Sequence, residues 1–236
     1  EAGLKAVAHL YNTSAAKYGG VNQAVYNQKD RRRELYSIGV LDIERSQEAD
    51  VKPDPWQTDT CVGGWFYDVR QVYKKPGHVI EMLVDIISKN GNLLLNIPQK
   101  PDGTLDGECV YILKEMAKWI KICGEGVYGT RPFRLSGEGP AKVVIDGFKE
   151  DAVAWTGSDF RFTVKGNTLY AFQMRWPEDN RAIIKSLTPA EKVKSVRLLG
   201  AGVIPFAQPY GVLVAELPDQ RPSEYVNCLA IELEKR

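Results

Sequence analysis

Residues 88–133, SKNGNLLLNIPQKPDGTLDGECVYILKEMAKWIKICGEGVYGTRPF, leave the chain little conformational freedom. Asn90-Gly91 predicts the end of a helix, because the left-handed capping conformation is cheap for glycine and tolerable for asparagine. Leu93-Leu94-Leu95-Asn96-Ile97 is then a short apolar run, the pattern of a parallel strand buried on both faces. Pro98 and Pro101 stop it, and Pro101-Asp102-Gly103 supplies turn chemistry. Asp106 predicts an N-cap. Beyond it Leu113, Met116, Ala117 and Ile120 recur at helical spacing, predicting one apolar stripe toward a core. Gly124 and Gly126 close that helix.

The flanking chain decides which sheet this unit joins. Upstream, Leu4, Val7, Ala8 and Tyr11 predict a helix over 1–18, stopped by Gly19-Gly20. A short strand is expected over 22–26, a charged loop over 30–34 and a second strand over 38–43. The stretch 46–59 reads as a long loop rich in charge and proline, of a length that favours a functional role. An extended segment over 61–67 and a helix over 77–89, carrying Val79, Met82, Leu83, Ile86 and Ile87, complete this half. Strands alternating with helices predict βαβ units and a parallel sheet; an open doubly wound sheet and a barrel both satisfy the pattern. GxxxxGK[ST] does not occur, and the GxGxxG of Gly124, Gly126 and Gly129 closes a predicted helix instead of joining a strand to one, which argues against a nucleotide site. After Arg131 the texture becomes all-β. Phe160, Phe162 and Val164 alternate with polar residues, Gly166-Asn167 turns the chain, and 168–176 runs back. Further short strands over 193–199, 211–216 and 227–233 predict an antiparallel sandwich.

Composition excludes several classes. The chain of 236 residues is 44% apolar and 26% charged, with a net charge of +1 and scattered Lys and Arg. No nucleic-acid footprint results. The apolar runs reach about five residues, against the roughly 18 needed to span a bilayer. Cys61, Cys109, Cys123 and Cys228 show no metal-ligand spacing. Fourteen residues apart on one helix, Cys109 and Cys123 would sit roughly 21 Å apart, too far to bridge. Buried free thiols are expected, and no metal or cofactor is implied.

NGNLLLNI, PDGT, EMAKWIKICGEGVYGTRPF, WQTD and WFYD together closely resemble the α-L-fucosidases of glycoside hydrolase family 29. The resemblance is densest over 56–133 and weak over the last hundred residues. It implies the second half of a (β/α)8-type barrel over 1–130, followed by a C-terminal antiparallel β-sandwich over 131–236. It also implies a fragment, with the first half of the barrel as a missing partner, and a secreted or periplasmic setting. The implied chemistry is exo-acting, retaining hydrolysis of terminal α-linked L-fucose, with LDIER and PWQTD pointing to α-1,3/1,4 linkages. Substrates would be fucosylated oligosaccharides or glycoconjugates.

The site follows from the same resemblance. Reactive groups of a parallel barrel lie at the carboxyl ends of its strands. Glu44 of DIERSQ is placed as the acid/base, and Asp42 should share its face by strand alternation. The nucleophilic aspartate is expected upstream of residue 1. Trp65 resembles the tryptophan that covers the apolar face of the sugar; Trp56 either lines the same mouth or anchors the loop. Arg31 best matches a sugar-contacting arginine, with the register left open by Arg32 and Arg33. Two other readings stand beside this one: a non-catalytic structural or carbohydrate-binding piece, and a related retaining glycosidase for another sugar. Trp155, Trp176 and Tyr210 are either a binding platform or sandwich core.

Overall fold

The computed structural model describes residues 1–29, 38–145, 150 and 152–234. Helix α1 (Ala2–Lys17) leads into β1 (Asn27–Gln28), β2 (Val40–Glu44), β3 (Trp56–Cys61), α2 (Pro76–Ser88), β4 (Gly91–Asn96) and α3 (Gly107–Cys123). The four strands form one sheet in the order β1-β2-β3-β4, every pair parallel. The predicted caps are present: Asn90 adopts φ 70 beyond α2, and the Asp106 carboxylate accepts from the N–H of Gly107.

Antiparallel structure begins at β5 (Arg131–Glu138). It continues through β6 (Phe160–Lys165), β7 (Thr168–Gln173), β8 (Arg181–Ile184), β9 (Val193–Leu198), β10 (Gly202–Val203), β11 (Phe206–Ala207), β12 (Leu213–Glu216) and β13 (Asn227–Leu233). A six-stranded sheet, β10-β9-β13-β7-β6-β5, faces a three-stranded one, β11-β12-β8. Leu169, Ala171, Leu229 and Ile231 fill the space between them. Their neighbours Tyr170, Phe172, Cys228 and Ala230 point the other way, onto Ile80 and Val84 of α2 and Trp119 and Cys123 of α3. The larger sheet is therefore covered on both faces, one by its partner sheet and one by the helices. Trp155 joins the helix-side cluster and Trp176 packs against the inter-sheet core, while Tyr210 stands wholly exposed. These three aromatics do not share one platform.

Four sequence expectations change. First, β3 starts inside the stretch read as a loop, because its polar residues occupy a sheet face with no layer over it among the described residues. Second, β4 is not buried on both faces; Leu94 is 55% exposed on that same side. Third, the inward stripe of α3 is Cys109, Ile112, Met116, Trp119 and Cys123 rather than the one starting at Leu113. The helix is rotated so that the Trp119 indole reaches the sandwich, donating to the Val226 carbonyl at 2.7 Å. Fourth, the alternation along β6 does not separate core from solvent: its polar residues Arg161 and Thr163 are buried against the helices. The predicted strand over 22–26 falls slightly later, as β1, and the charged loop over 30–34 lies outside the described residues.

All four cysteines are free and buried. Burial pushes the Cys123 thiol up to about 12. Among the described residues no helix is long and apolar enough to cross a membrane.

Candidate active site

Parallel pairing sets Asp42 opposite Gln57 and Glu44 opposite Asp59, with Asp59 opposite Leu94 in turn. Alternate side chains of a strand share a face. Asp42, Glu44, Gln57 and Asp59 therefore project from one side, while Leu41, Ile43 and Trp56 project from the other toward Ile86. Glu44 is the last residue of β2, so the polar group gathers toward the carboxyl ends of the strands.

Lys29, one residue beyond β1, organises this face. Its Nζ donates to Asp59 Oδ1 at 2.7 Å and lies 3.6 Å from Glu44 Oε2 and 3.7 Å from Asp42 Oδ2. Gln57 Nε2 donates to Asp42 Oδ1 at 3.2 Å. Burial works to lower the Lys29 pKa, but the hydrogen bond to Asp59 and the fields of Asp42, Asp59 and Glu44 outweigh it. The ammonium is held above its ordinary value of 10.5. Among the described residues Lys29 is the cation these three carboxylates share, and ligand hydroxyls can donate to the oxygens it leaves free. The Glu44 side chain is 38% exposed and reachable by such a ligand, whereas Asp42 and Asp59 are more sheltered. No local sequence signal marks Lys29, because its partners lie 13 to 30 residues downstream.

Trp65 sits in the loop that leaves β3. Asn96, the last residue of β4, donates from Nδ2 to the Trp65 carbonyl at 3.1 Å, and the Val62 N–H donates to the Asn96 carbonyl. This loop is thereby held at the same end of the sheet as Glu44, and the Trp65 side of it is half-buried. Arg31 lies outside the described residues.

Trp56 does not line a mouth. It opens β3 at the opposite end, is 1% exposed, and donates from Nε1 to the Lys89 carbonyl at 2.9 Å. Its indole occupies the space left by the absent side chain of Gly91; a Cβ there would meet Trp56 Cζ2 at 2.5 Å and Ile86 Cγ2 at 2.7 Å. Gly91→Ala is expected to cost about 1–3 kcal/mol through overpacking, read as a lower urea midpoint at unchanged m. A variant as stable as the parent would show that the indole has room to move.

A parallel βα layer with carboxylates at its strand ends is joined here to an antiparallel sandwich, an arrangement that fits part of a (β/α) barrel followed by a β-sandwich. Residues 4–125 match the alpha-L-fucosidase family and residues 154–232 the alpha-L-fucosidase C-terminal domain. The chain belongs to the alpha-L-fucosidase family. It is 30% identical over 205 residues to rat tissue alpha-L-fucosidase, covering 82% of this chain and 40% of that protein. The chain spans about 40% of the length of the mouse and rat tissue alpha-L-fucosidases. Its fold resembles the crystal structure of alpha-L-fucosidase from Vibrio sp. strain EJY3, with TM-score 0.70 at 21% identity, covering 97% of this chain and 39% of that one. It also resembles an alpha-L-fucosidase from Bacteroides thetaiotaomicron described as a trapped covalent intermediate with 2-fluoro-fucosyl fluoride. There the TM-score is 0.66 at 18% identity, over 83% of this chain and 43% of the other.

Proposed function

We propose that this chain contributes the acid/base half of an exo-acting, retaining α-L-fucosidase that removes terminal α-linked L-fucose from glycans by double displacement. The observation that carries the reading is Glu44 standing in reach of ligand, at the carboxyl end of a barrel strand, beside Asp42, Asp59 and Lys29. Retaining hydrolysis uses two carboxyl groups about 5–5.5 Å apart, one attacking the anomeric carbon and one protonating the leaving oxygen. In this reading Glu44 first donates its proton to the glycosidic oxygen and then takes one from the attacking water. The nucleophilic aspartate comes from barrel strands outside this sequence, so the 236 residues alone do not turn over substrate. The Trp65 indole covers the apolar C–H face and methyl group of the deoxy sugar, leaving its hydroxyls to polar partners. In this reading Arg31 is the arginine that contacts the same sugar. The covalent intermediate of the Bacteroides relative supports the double displacement.

The test joins this chain to a complete barrel and follows fucose release by NMR, using α-1,3/1,4-linked and α-1,2-linked oligosaccharides. Retention gives the α-anomer first, and preference for the 1,3/1,4 linkages is expected. A β-anomer appearing first would remove the double displacement. Absence of any fucose release would remove the activity altogether.

A further inference from the structure

Glu150 lies in the segment between β5 and β6, yet its carboxylate is spent on the barrel half. The side chain is only 6% exposed, and one oxygen, Oε2, sits 3.2 Å from Arg45 Nε and 3.0 Å from Lys74 Nζ. Arg45 immediately follows Glu44 and takes φ 47, a left-handed conformation that a non-glycine residue keeps only when its surroundings hold it. Its N–H donates to the Asp59 carbonyl at 2.9 Å. Lys74 closes the other side: its Nζ donates to the Cys61 carbonyl at 2.7 Å, and its N–H to the Val62 carbonyl at 2.7 Å. The same three charged groups converge electrostatically on Cys61, whose thiol is pushed up by burial while Lys74 and Arg45 oppose the rise and Glu150 adds to it.

Glu44 faces the open, carboxylate-bearing side, and Arg45 faces back toward Glu150. From this geometry we infer that Glu150 is a positioning residue for Glu44. It grips the strand end from behind, and through Lys74 it also grips the loop bearing Trp65. A residue of the sandwich's β5–β6 connection thus sets the aim of the proton donor without touching substrate. This rests on the proposed fucosidase reading for its catalytic consequence, though not for the clamp itself.

The experiment uses the protein with its barrel complete. Glu150→Gln keeps the shape and removes the charge. It should lower kcat on a natural oligosaccharide, a poor leaving group, roughly tenfold, a fraction of the 10²–10⁴ that a general acid supplies. A dinitrophenyl fucoside, which needs no protonation to depart, should lose less than about twofold in kcat/KM, which reports the first step alone. Glu150→Asp should fall between. Arg45→Gln should match Glu150→Gln, and the double variant should be no worse than either, as for partners in one interaction. Equal losses on both substrates, or losses that multiply in the double variant, would overturn the assignment. A readout free of activity accompanies it: amide exchange in residues 40–46 and 71–76 should speed roughly tenfold in Glu150→Gln, as local opening becomes easier. Unchanged exchange there would also overturn it. If the parent releases no fucose, the proposed function fails while exchange still decides the clamp. If the parent is active and Glu44→Gln is slow but Glu150→Gln runs at full rate, the positioning role alone is lost.

Discussion

Glu44→Gln, placed in a complete barrel, should reduce turnover of natural fucosides by about 10²–10⁴-fold, the range that general acid–base catalysis supplies. The substitution is isosteric and leaves an amide oxygen available to Lys29, so the loss falls on the proton and not on the shape of the site. Leaving-group chemistry separates the two halves of the reaction. An oligosaccharide alkoxide cannot depart unprotonated, so its first step should slow by nearly the full factor. A dinitrophenolate departs without help, so its first step should survive and fucosyl-enzyme should accumulate. Azide attacks without a base and should restore turnover of that substrate, with a fucosyl azide as product. Unchanged rates on natural fucosides would take Glu44 out of the mechanism, and uniform loss on both substrates without azide rescue would make it a structural carboxylate.

Asp85→Ala should cost the full chain about 3–5 kcal/mol, the usual penalty for leaving buried charges without their counter-ion. Asp85 is 1% exposed on α2 and takes two cations at once. Lys89 Nζ donates to its Oδ2 at 2.8 Å, and Arg161 Nε of β6 donates to Oδ1. The Arg161 guanidinium also lies over the Trp155 ring at 4.6 Å. Burial holds the Lys89 ammonium below its ordinary value, with Asp85 pulling the other way. Removing the carboxylate therefore strands two cations in the seam that fixes α2 to the sandwich. Replacing all three charged residues with leucine should recover most of the loss, since a well-packed apolar cluster often equals a buried ion network. Urea denaturation checks both. A loss below about 1 kcal/mol for Asp85→Ala would mean that water reaches the seam and screens the cations.

The two experiments address different layers of one arrangement. Helix α2 packs its Ile86 against Trp56 beneath the carboxylate sheet, while Asp85, the preceding residue, ties the same helix to the sandwich. Glu150 adds a second tie at the strand ends. The sandwich is thus fastened to the barrel half at the back of α2 and just behind Glu44.

What the sequence by itself determined was local and covalently close. Asn90 and Asp106 act within a residue or two of themselves, so the helix limits around them were readable from composition and spacing. The helical periodicity of α2 and the parallel run of β4 were equally plain, and the motifs over 56–133 carried the family. What only the tertiary structure decided was which side of each element is covered. WQTD reads as loop until one knows that Gln57 and Asp59 face a sheet surface left uncovered among the described residues while Trp56 and Thr58 face the core. The alternation along β6 does not show that Arg161 and Thr163 are buried; Asp85, 76 residues away, supplies a buried partner for the first. Lys29 and Glu150 belong to the same class, since each gains its meaning from charges brought near by the chain path rather than by sequence. Hydrophobic pattern reports contact with water, and it fails wherever a polar side chain is buried with a distant counter-charge.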